Sequence, residues 1–380
     1  MAVKTKNDQA PRILIVGGGI AGLALARALR QRRLTAEIVE RAADDEEPAG
    51  TGLFLPANGV RSLRMLGLHE SVQRRGCAIP RQRVLNHRGR LLLDVGLDEI
   101  WGAAGPCIAI HRRTLHELLR EAAGVPIRLG TTIESVDVDA VGARVRLSDG
   151  SVGTYDVLVG ADGIHSSVRR LVFDGAEPRY VGQVSWRMVV EGDPAITAWT
   201  VMLARGRAFL AVPIGEGRLY CYADVNSLDR RDPTDGVFPR LVELFEDFHE
   251  PVRGILGRLL PAELLYFSPI EEVTRQSWVK GRAVLIGDAA HATSPNMAQG
   301  AAMAMEDALV LAEVLASGQP VAACLTAFEA RRAPRVRWVQ EQTHRRDRTR
   351  NLPPAIRDCV LRIAGKRIFK ANNQPLVKEP

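Results

Sequence analysis

The sequence predicts an α/β chain: a doubly wound, Rossmann-like domain assembled from discontinuous segments, an inserted mixed β-sheet domain, and a helical C-terminus. Three observations predict it. First, the apolar run Ile13-Leu14-Ile15-Val16 enters Gly17-Gly18-Gly19-Ile20-Ala21-Gly22 and then an Ala/Leu-rich stretch ending near Arg33. That is strand, tight glycine turn and helix, the opening unit of a doubly wound sheet. Second, two later apolar runs end in glycine–aspartate turns, Val157-Leu158-Val159-Gly160 before Asp162-Gly163 and Ala283-Val284-Leu285-Ile286 before Gly287-Asp288. Third, between about 180 and 273 the pattern changes to short alternating runs separated by turn residues, as in half-buried strands.

In the first unit, Gly17, Gly19 and Gly22 allow the backbone to approach a pyrophosphate and the helix to pack against its strand, and Ile20 and Ala21 open that helix. Unpaired N–H groups and the helix dipole favour an anion at this end. The next strand, Ala36-Glu37-Ile38-Val39, ends in Glu40, an acceptor suited to a ribose diol, with Arg41 beside it. Residues Asn58 to Leu68 carry helical apolar spacing closed by Gly67. Residues 83–87 and 90–94 read as a hairpin outside the main sheet, residues 112–119 as a helix, and 136–147 as strands broken near Gly142.

In the inserted unit, Val184 to Val190, Thr200 to Leu203, Phe209 to Pro213 and Arg218 to Asp224 read as strands, with Gly215-Glu216-Gly217 turning the last pair. A single helix is expected from Phe238 to Leu260, and another from Gln299-Gly300 to Leu315. The predicted division is 10–76, 104–180 and 274–330 for the nucleotide domain, 77–103 and 181–273 for the inserted substrate domain, and 331–380 for the C-terminal helical segment.

Asp162-Gly163-Ile164-His165-Ser166-Ser167-Val168-Arg169 and Gly287-Asp288-Ala289-Ala290-His291, followed by Pro295, Gln299-Gly300, Glu306 and Asp307, resemble the group A FAD-dependent monooxygenases, the flavoprotein aromatic hydroxylases related to para-hydroxybenzoate hydroxylase. The resemblance covers residues 12–335. It departs at Ala298, where many relatives carry glycine. The resemblance implies FAD as cofactor, NADH or NADPH as transient co-substrate, O2 as oxidant, and hydroxylation of a small aromatic or heteroaromatic substrate through a flavin C4a-hydroperoxide. Such chemistry belongs to the cofactor, while the protein orients groups and keeps the pocket dry.

The resemblance also implies roles for residues. Gly17, Gly19, Ile20, Ala21, Gly22, Glu40, Arg41, Arg112, Asp162, Gly163, Arg169, Gly287, Asp288, Pro295, Gly300 and Ala301 are the candidate FAD contacts. Asp288 would take a ribityl hydroxyl, and Arg112 the flavin chain or pyrophosphate. Asp162 has a second reading, as the cap of the short helix after it. Pro295, Gln299 and Gly300 are the candidates beside the reacting edge, because a helix starting there turns its N–H groups toward charge on reduced flavin.

Substrate candidates are Trp186, Met188, Phe209, Tyr220 and Tyr222, with Arg187 between the first two. The strands around Trp186 and Tyr220 are similar to those of bacterial FAD-dependent urate hydroxylases. Where that subgroup carries a substrate-binding arginine, however, Ala208 stands here, with Arg207 adjacent, which points to a less polar substrate. Epoxidation or a Baeyer–Villiger-type oxygenation on the same scaffold, and a non-catalytic FAD-binding redox sensor, are the alternative readings. Flavin halogenation is disfavoured by the absence of a WxWxIP segment.

Composition agrees with an ordinary soluble globular protein. The chain has 380 residues, 46% hydrophobic and 25% charged, ordinary values for globular domains. No apolar run reaches the roughly 18 residues of a membrane span, and the polar start Met1 to Gln9 carries no signal core, so a cytoplasmic location is expected. Five scattered cysteines read as reduced thiols, and the eight histidines show no metal-ligand spacing. The net charge of +7 includes Arg331, Arg332, Arg335, Arg337, Arg345, Arg346, Arg348 and Arg350. With no aromatic stacking platform nearby, nucleic acid is not expected. These arginines read as a solvated helix face, or as an attractor of pyridine nucleotide or an acidic membrane surface. Residues 360–363 and 367–370 mix apolar and basic side chains, so membrane contact would be at most peripheral. Nothing in the residues selects NADH over NADPH or fixes an oligomeric state.

Overall fold

The three glycine turns come together because the strands preceding them are neighbours in one sheet. In a computed structural model of the chain, which describes residues 10–44, 51–173, 177–230, 237–259 and 265–380, a six-stranded sheet runs in the order Val279–Lys280, Ala283–Leu285, Val157–Gly160, Ile13–Val16, Ala36–Val39 and Ile127–Arg128. All its pairings are parallel except the outer Val279–Lys280 pair. Val16, Gly160 and Leu285 sit side by side in register, so Gly17, Asp162 and Gly287 follow at the same carboxyl edge. Ile13–Val16 is apolar throughout because it is covered on both faces. Helix Ile20–Gln31 covers one face, packed against helices Arg112–Ala123 and Gly300–Leu315.

A second sheet of seven strands has the order Tyr266–Glu272, Arg179–Glu191, Arg218–Asn226, Arg207–Gly215, Trp199–Ala204, Arg81–Asn86 and Leu91–Gly96. It is antiparallel apart from the pairing of Trp199–Ala204 with Arg81–Asn86. The predicted turn at Gly215-Glu216-Gly217 is a two-residue hairpin, with Glu216 and Gly217 both at positive φ, 54° and 66°, as its tight reversal requires.

One face of this sheet carries Trp186, Met188, Phe209, Cys221 and Ala223, which form a separate apolar core with Phe245, Phe248, Val252 and Ile255. Each fully buried large side chain there contributes about 1.5–3 kcal/mol relative to exposure. The expected single helix from 238 is two, Val237–Phe245 and Val252–Arg258. The first ends well before Pro251, which has no N–H to donate and stands at the N-cap of the second. The end of the expected helix, Leu260, lies outside the described residues.

Two smaller antiparallel sheets complete the fold: Val152–Tyr155, Ala143–Leu147 and Ile133–Val138; and Gly52–Leu55, Ile108–His111 and Cys77–Ala78.

The C-terminal region carries only half of its arginine charge between positions 331 and 350 as a solvated face: Arg331, Arg337, Arg345 and Arg348 are exposed, while the other four arginines turn inward. Helix Val321–Arg350 runs unbroken through position 331, and Arg332 and Arg350 are buried. Arg332 pairs with Glu306 and Asp307, Arg335 with Glu306, and Arg350 with Asp224. Arg346 donates to the Asn296 carbonyl at 2.9 Å, and burial pulls its guanidinium down to about 10. The first pairs lie beside the parallel sheet and the last on the seven-stranded one, so this one helix ties the two together. No helix of the described residues is long and apolar enough to cross a membrane. All five cysteines are free thiols. Among the described residues no cluster of His, Cys, Asp or Glu could hold a metal ion.

Candidate functional site

Between the carboxyl edge of the parallel sheet and the open face of the seven-stranded sheet lies a cavity of about 1060 Å³, large enough for a dinucleotide arm together with a small molecule. At its nucleotide end, Gly17 has φ +113°, and a Cβ there would collide with the Ala161 carbonyl. Gly22 lies against Gly17 in the same way, which seats the helix on its strand. Gly19 differs, because a Cβ there would meet nothing within 4 Å. It precedes the uncapped start of helix Ile20–Gln31 and faces open cavity. Glu40 accepts from the Gly18 N–H at 2.7 Å and the Ala42 N–H at 2.9 Å, which aims its carboxylate at the same space.

Ile20, Ala21, Glu40, Arg41, Arg112, Asp162, Gly163, Asp288, Pro295, Gly300 and Ala301 also line the cavity. Asp162 spends both carboxylate oxygens on the next helix. Ser166 Oγ donates to it at 2.5 Å, and the Ser167 and Val168 N–H groups at 2.6 and 3.2 Å. The capping reading therefore describes its side chain. Asp288 is exposed to the cavity opposite Gly300, where helix Gly300–Leu315 begins without a side-chain cap. Two uncapped helix starts, one open glycine and two cavity-facing carboxylates form a cradle for a long, twice-charged cofactor with sugar hydroxyls, and the residues present fit FAD.

Four expected site residues stand behind this surface rather than on it, Gly22 at the helix–strand contact and three others. Arg169 is buried and donates to the carbonyls of Ala289 and Ile164, at 3.0 and 2.6 Å, so it braces two loops against each other. Gly287, at φ +58°, packs against Ala21 and Ala304. Gln299 points inward, accepting from Asn58 Nδ2 at 2.9 Å, and is not placed beside a reacting edge. The cause is Ala298, whose φ of 52° and ψ of 33° are left-handed and turn the chain so that Gly300 rather than Gln299 meets the cavity. A methyl group in that conformation costs roughly 1–2 kcal/mol, partly offset by the smaller entropy of an unfolded alanine. Ala298→Gly is expected to stabilise the protein by about 0.5–1 kcal/mol, checked by thermal melts of the two proteins.

Asn58, a residue with no predicted role, starts a buried polar network. It donates to Gln299 and to Glu306, at 2.9 and 3.0 Å. Glu306 is held by Arg332 and Arg335 at 2.9 and 2.7 Å. Arg332 Nε also donates to Asp307 at 2.8 Å, and Asp307 accepts from the Gly287 N–H and pairs with His291 Nε2, at 2.9 and 2.6 Å. The network thus fixes the loop that presents Asp288.

Burial alone would raise the Asp307 carboxyl, but His291, Arg332 and the Gly287 N–H outweigh it and hold the group at about 2. The folded value lies below the ordinary carboxylate value of 3.8, so the stabilisation is present above about pH 4 and lost as pH falls toward 2. A shift of that size corresponds to roughly 2 kcal/mol. Urea unfolding between pH 5 and pH 2.5 is expected to show this loss, with a shallower pH dependence in Asp307→Asn.

At the other end the wall is the seven-stranded sheet. Its cavity face carries Gln82, Val84, Leu93, Val201, Leu203, Ala208, Leu210, Tyr220, Tyr222 and Arg187. Tyr220 and Tyr222 are therefore on this wall, whereas Trp186, Met188 and Phe209 are not. They project from the opposite face into the second core, because side chains alternate along a strand and Arg187, paired with Tyr222 in register, takes the cavity side. Arg207 also faces away, paired with Asp247 at 2.9 Å. Ala208 fills the cavity position, with no cation there.

Arg187 lies 5.9 Å from the Tyr222 ring and 5.7 Å from that of Tyr266 and has no carboxylate partner among the described residues. The buried Tyr222 hydroxyl likewise has no hydrogen-bond partner among them, and burial raises both the Tyr220 and Tyr222 phenols, so they remain proton donors at neutral pH. Helix Pro354–Val377 closes the remaining side with Leu361, Gly365, Ile368 and Phe369, a wall the sequence reading did not foresee.

A protein-family model described as an FAD binding domain matches residues 11–343. The chain is 36% identical to 2-heptyl-3-hydroxy-4(1H)-quinolone synthase of Pseudomonas aeruginosa, over 87% of each chain. It is 34% identical to the aurachin C monooxygenase/isomerase of Stigmatella aurantiaca, over 85% of each. The crystal structure of Klebsiella pneumoniae HpxO with FAD and uric acid is similar across 97% of both chains, with a TM-score of 0.88 at 26% identity.

Proposed function

Because this chain belongs to the FAD binding domain family, whose members similar to it are FAD-dependent aromatic monooxygenases, we propose that it inserts one atom of O2 into an apolar heteroaromatic ring bearing an alkyl chain, using electrons from NADH or NADPH. When bound, FAD supplies the redox chemistry and the activation of O2. The chain's own residues bind, orient and exclude water. Gly19 and the helix start at Ile20 take the pyrophosphate, Glu40 and Asp288 take sugar and ribityl hydroxyls, and Arg41 and Arg112 flank the negative charge. The N–H groups of Gly300 and Ala301 would face negative charge on the bound cofactor, and Pro295 and Ala298 would wall that end of the cavity against water.

The observation that carries the substrate reading is the composition of the sheet face. Arg187 is its one unpaired cation among the described residues, set beside the rings of Tyr222 and Tyr266 and close to the unpartnered Tyr222 hydroxyl, and most of the remaining wall is aliphatic or aromatic. Arg187 and the Tyr222 hydroxyl suit a single ring oxygen carrying partial negative charge. Leu93, Leu203, Leu361 and Phe369 suit an apolar tail. Ala208, in place of a cation, does not suit a substrate as polar as urate. The alkylquinolone named for the Pseudomonas relative has both features.

The test is NADH and NADPH oxidation by the FAD-loaded protein with 2-heptyl-4(1H)-quinolone, simple phenols and urate, with mass spectrometry under isotopically labelled O2. The alkylquinolone is expected to stimulate oxidation and to gain one labelled oxygen. Stimulation by urate alone, or by none of the panel, would overturn the substrate reading. Arg187→Met is expected to raise KM by about 10–100-fold with a smaller change in kcat, the size of one charged hydrogen bond of roughly 1.5–3 kcal/mol.

A further inference from the structure

Helix Pro354–Val377 turns one side to the cavity and leaves the other uncovered by the described residues. Inward, a Cβ on Gly365 would lie 3.2 Å from Leu93, and Arg357 donates to the Ala204 carbonyl at 2.7 Å. Outward, Ile356, Val360 and Ile363 recur at helical spacing, with Ile356 53% and Ile363 82% exposed. Isolated exposed apolar residues are ordinary, but these three form one continuous stripe. Arg367 and Lys370 extend the same stripe, and Arg362 and Lys366 flank it. None of these four cations makes an ion pair among the described residues. The helix carries one acid, Asp358, which is occupied by Arg357.

The stripe also borders an opening. Leu352, Val360 and Ile368 are solvent-exposed and at the same time line the cavity. An apolar crest bordered by unneutralised cations matches an anionic lipid surface, in which the crest enters the acyl boundary and the cations meet headgroup phosphates. A protein partner would need acidic groups opposite four cations around a flat apolar ridge, whereas a bilayer presents both chemistries at once.

We propose that this face docks the protein peripherally on anionic phospholipid, with the cavity mouth toward the membrane. The docking is independent of which substrate is turned over. It also places the mouth where a lipophilic molecule dissolved in the bilayer could enter without crossing water.

The test is flotation of the full-length, FAD-loaded protein with vesicles of phosphatidylcholine alone or of equimolar phosphatidylcholine and phosphatidylglycerol. Co-flotation is expected with the mixed vesicles only, and is lost in high salt. Ile363→Asp and Lys366→Glu, neither of which lines the cavity, are each expected to weaken binding at least about tenfold while retaining FAD absorbance and circular dichroism. The proposal is overturned if the parent protein does not float with anionic vesicles, or if Ile363→Asp floats as well as the parent. It is equally overturned if light scattering shows Ile363→Asp splitting a dimer that never bound vesicles, which would assign the stripe to a second copy of the chain. Because the readout is binding rather than turnover, its failure leaves the proposed oxygenation untouched, and failure of that oxygenation leaves the docking testable.

Discussion

Arg332→Met is expected to destabilise the protein by roughly 3–5 kcal/mol, measured by urea unfolding at neutral pH. The guanidinium is fully buried and is held by two carboxylates that are themselves fully buried. Methionine fills much of the volume but leaves Glu306 and Asp307 with less countercharge in a region closed to water. Removing one partner of a buried pair costs far more than the pair contributes net, because the survivors lose solvation and charge together. The loss should fall toward the lower end of that range, since Arg335 and Asn58 still hold Glu306, and His291 and the Gly287 N–H still hold Asp307. FAD retention is expected to fall as well, because Asp307 anchors the loop that carries Asp288. A loss under about 1 kcal/mol would show that Arg335 alone neutralises the cluster.

Gly17→Ala is expected to weaken FAD binding at least about 100-fold, close to 3 kcal/mol, read by titration of the apoprotein with FAD. Two effects add. The residue sits at φ +113°, which an L side chain rarely adopts, and its new Cβ would press on the Ala161 carbonyl and lie 2.8 Å from the Asp162 Cα. Both obstacles are backbone and cannot rotate aside, so two cavity-lining loops must separate. Gly19→Val is the informative contrast. Its φ of −78° is ordinary and its surroundings are open, so the protein should fold normally and lose affinity only because the side chain occupies the cofactor's space. Equal unfolding midpoints for Gly19→Val and the parent, alongside a lowered midpoint for Gly17→Ala, would separate the two roles.

Much of the nucleotide half was legible before any coordinates. A parallel strand covered on both faces must be apolar throughout, and a turn where backbone approaches backbone must be glycine. Ile13–Val16, Gly17, Gly22 and the aspartates at positions 162 and 288 carry those constraints in their identities. The break between Phe245 and Val252 left a weaker signal: Pro251 disfavours a continuing helix, yet the apolar spacing on either side of it suggested one, and Pro334 sits inside helix Val321–Arg350 without breaking it. Asn58 left a fainter signal, a polar residue within an otherwise apolar helical spacing.

The substrate half was legible as strands and not as a site. Alternation shows that Trp186 and Met188 share one face and Arg187 takes the other, but both faces of this sheet are covered. The aromatic candidates divide between the two, Tyr220 and Tyr222 on the cavity and Trp186 and Phe209 in the second core, because aromatic bulk fills a core as readily as it lines a cavity.

What the sequence by itself determined is the set of local conformations: which segments are strands and helices, which turns need glycine, and where the chain offers N–H groups and carboxylates to a dinucleotide. Those follow from sterics and hydrogen bonding within a few residues. What only the tertiary structure decided is which side of each element is inside. Arg332 became a buried countercharge, Gln299 a partner of Asn58, and helix Pro354–Val377 a cavity wall through contacts with residues tens to hundreds of positions away. The energy of burying a charge or a ring depends on what lies opposite, and the residue's own neighbours in sequence do not contain that information.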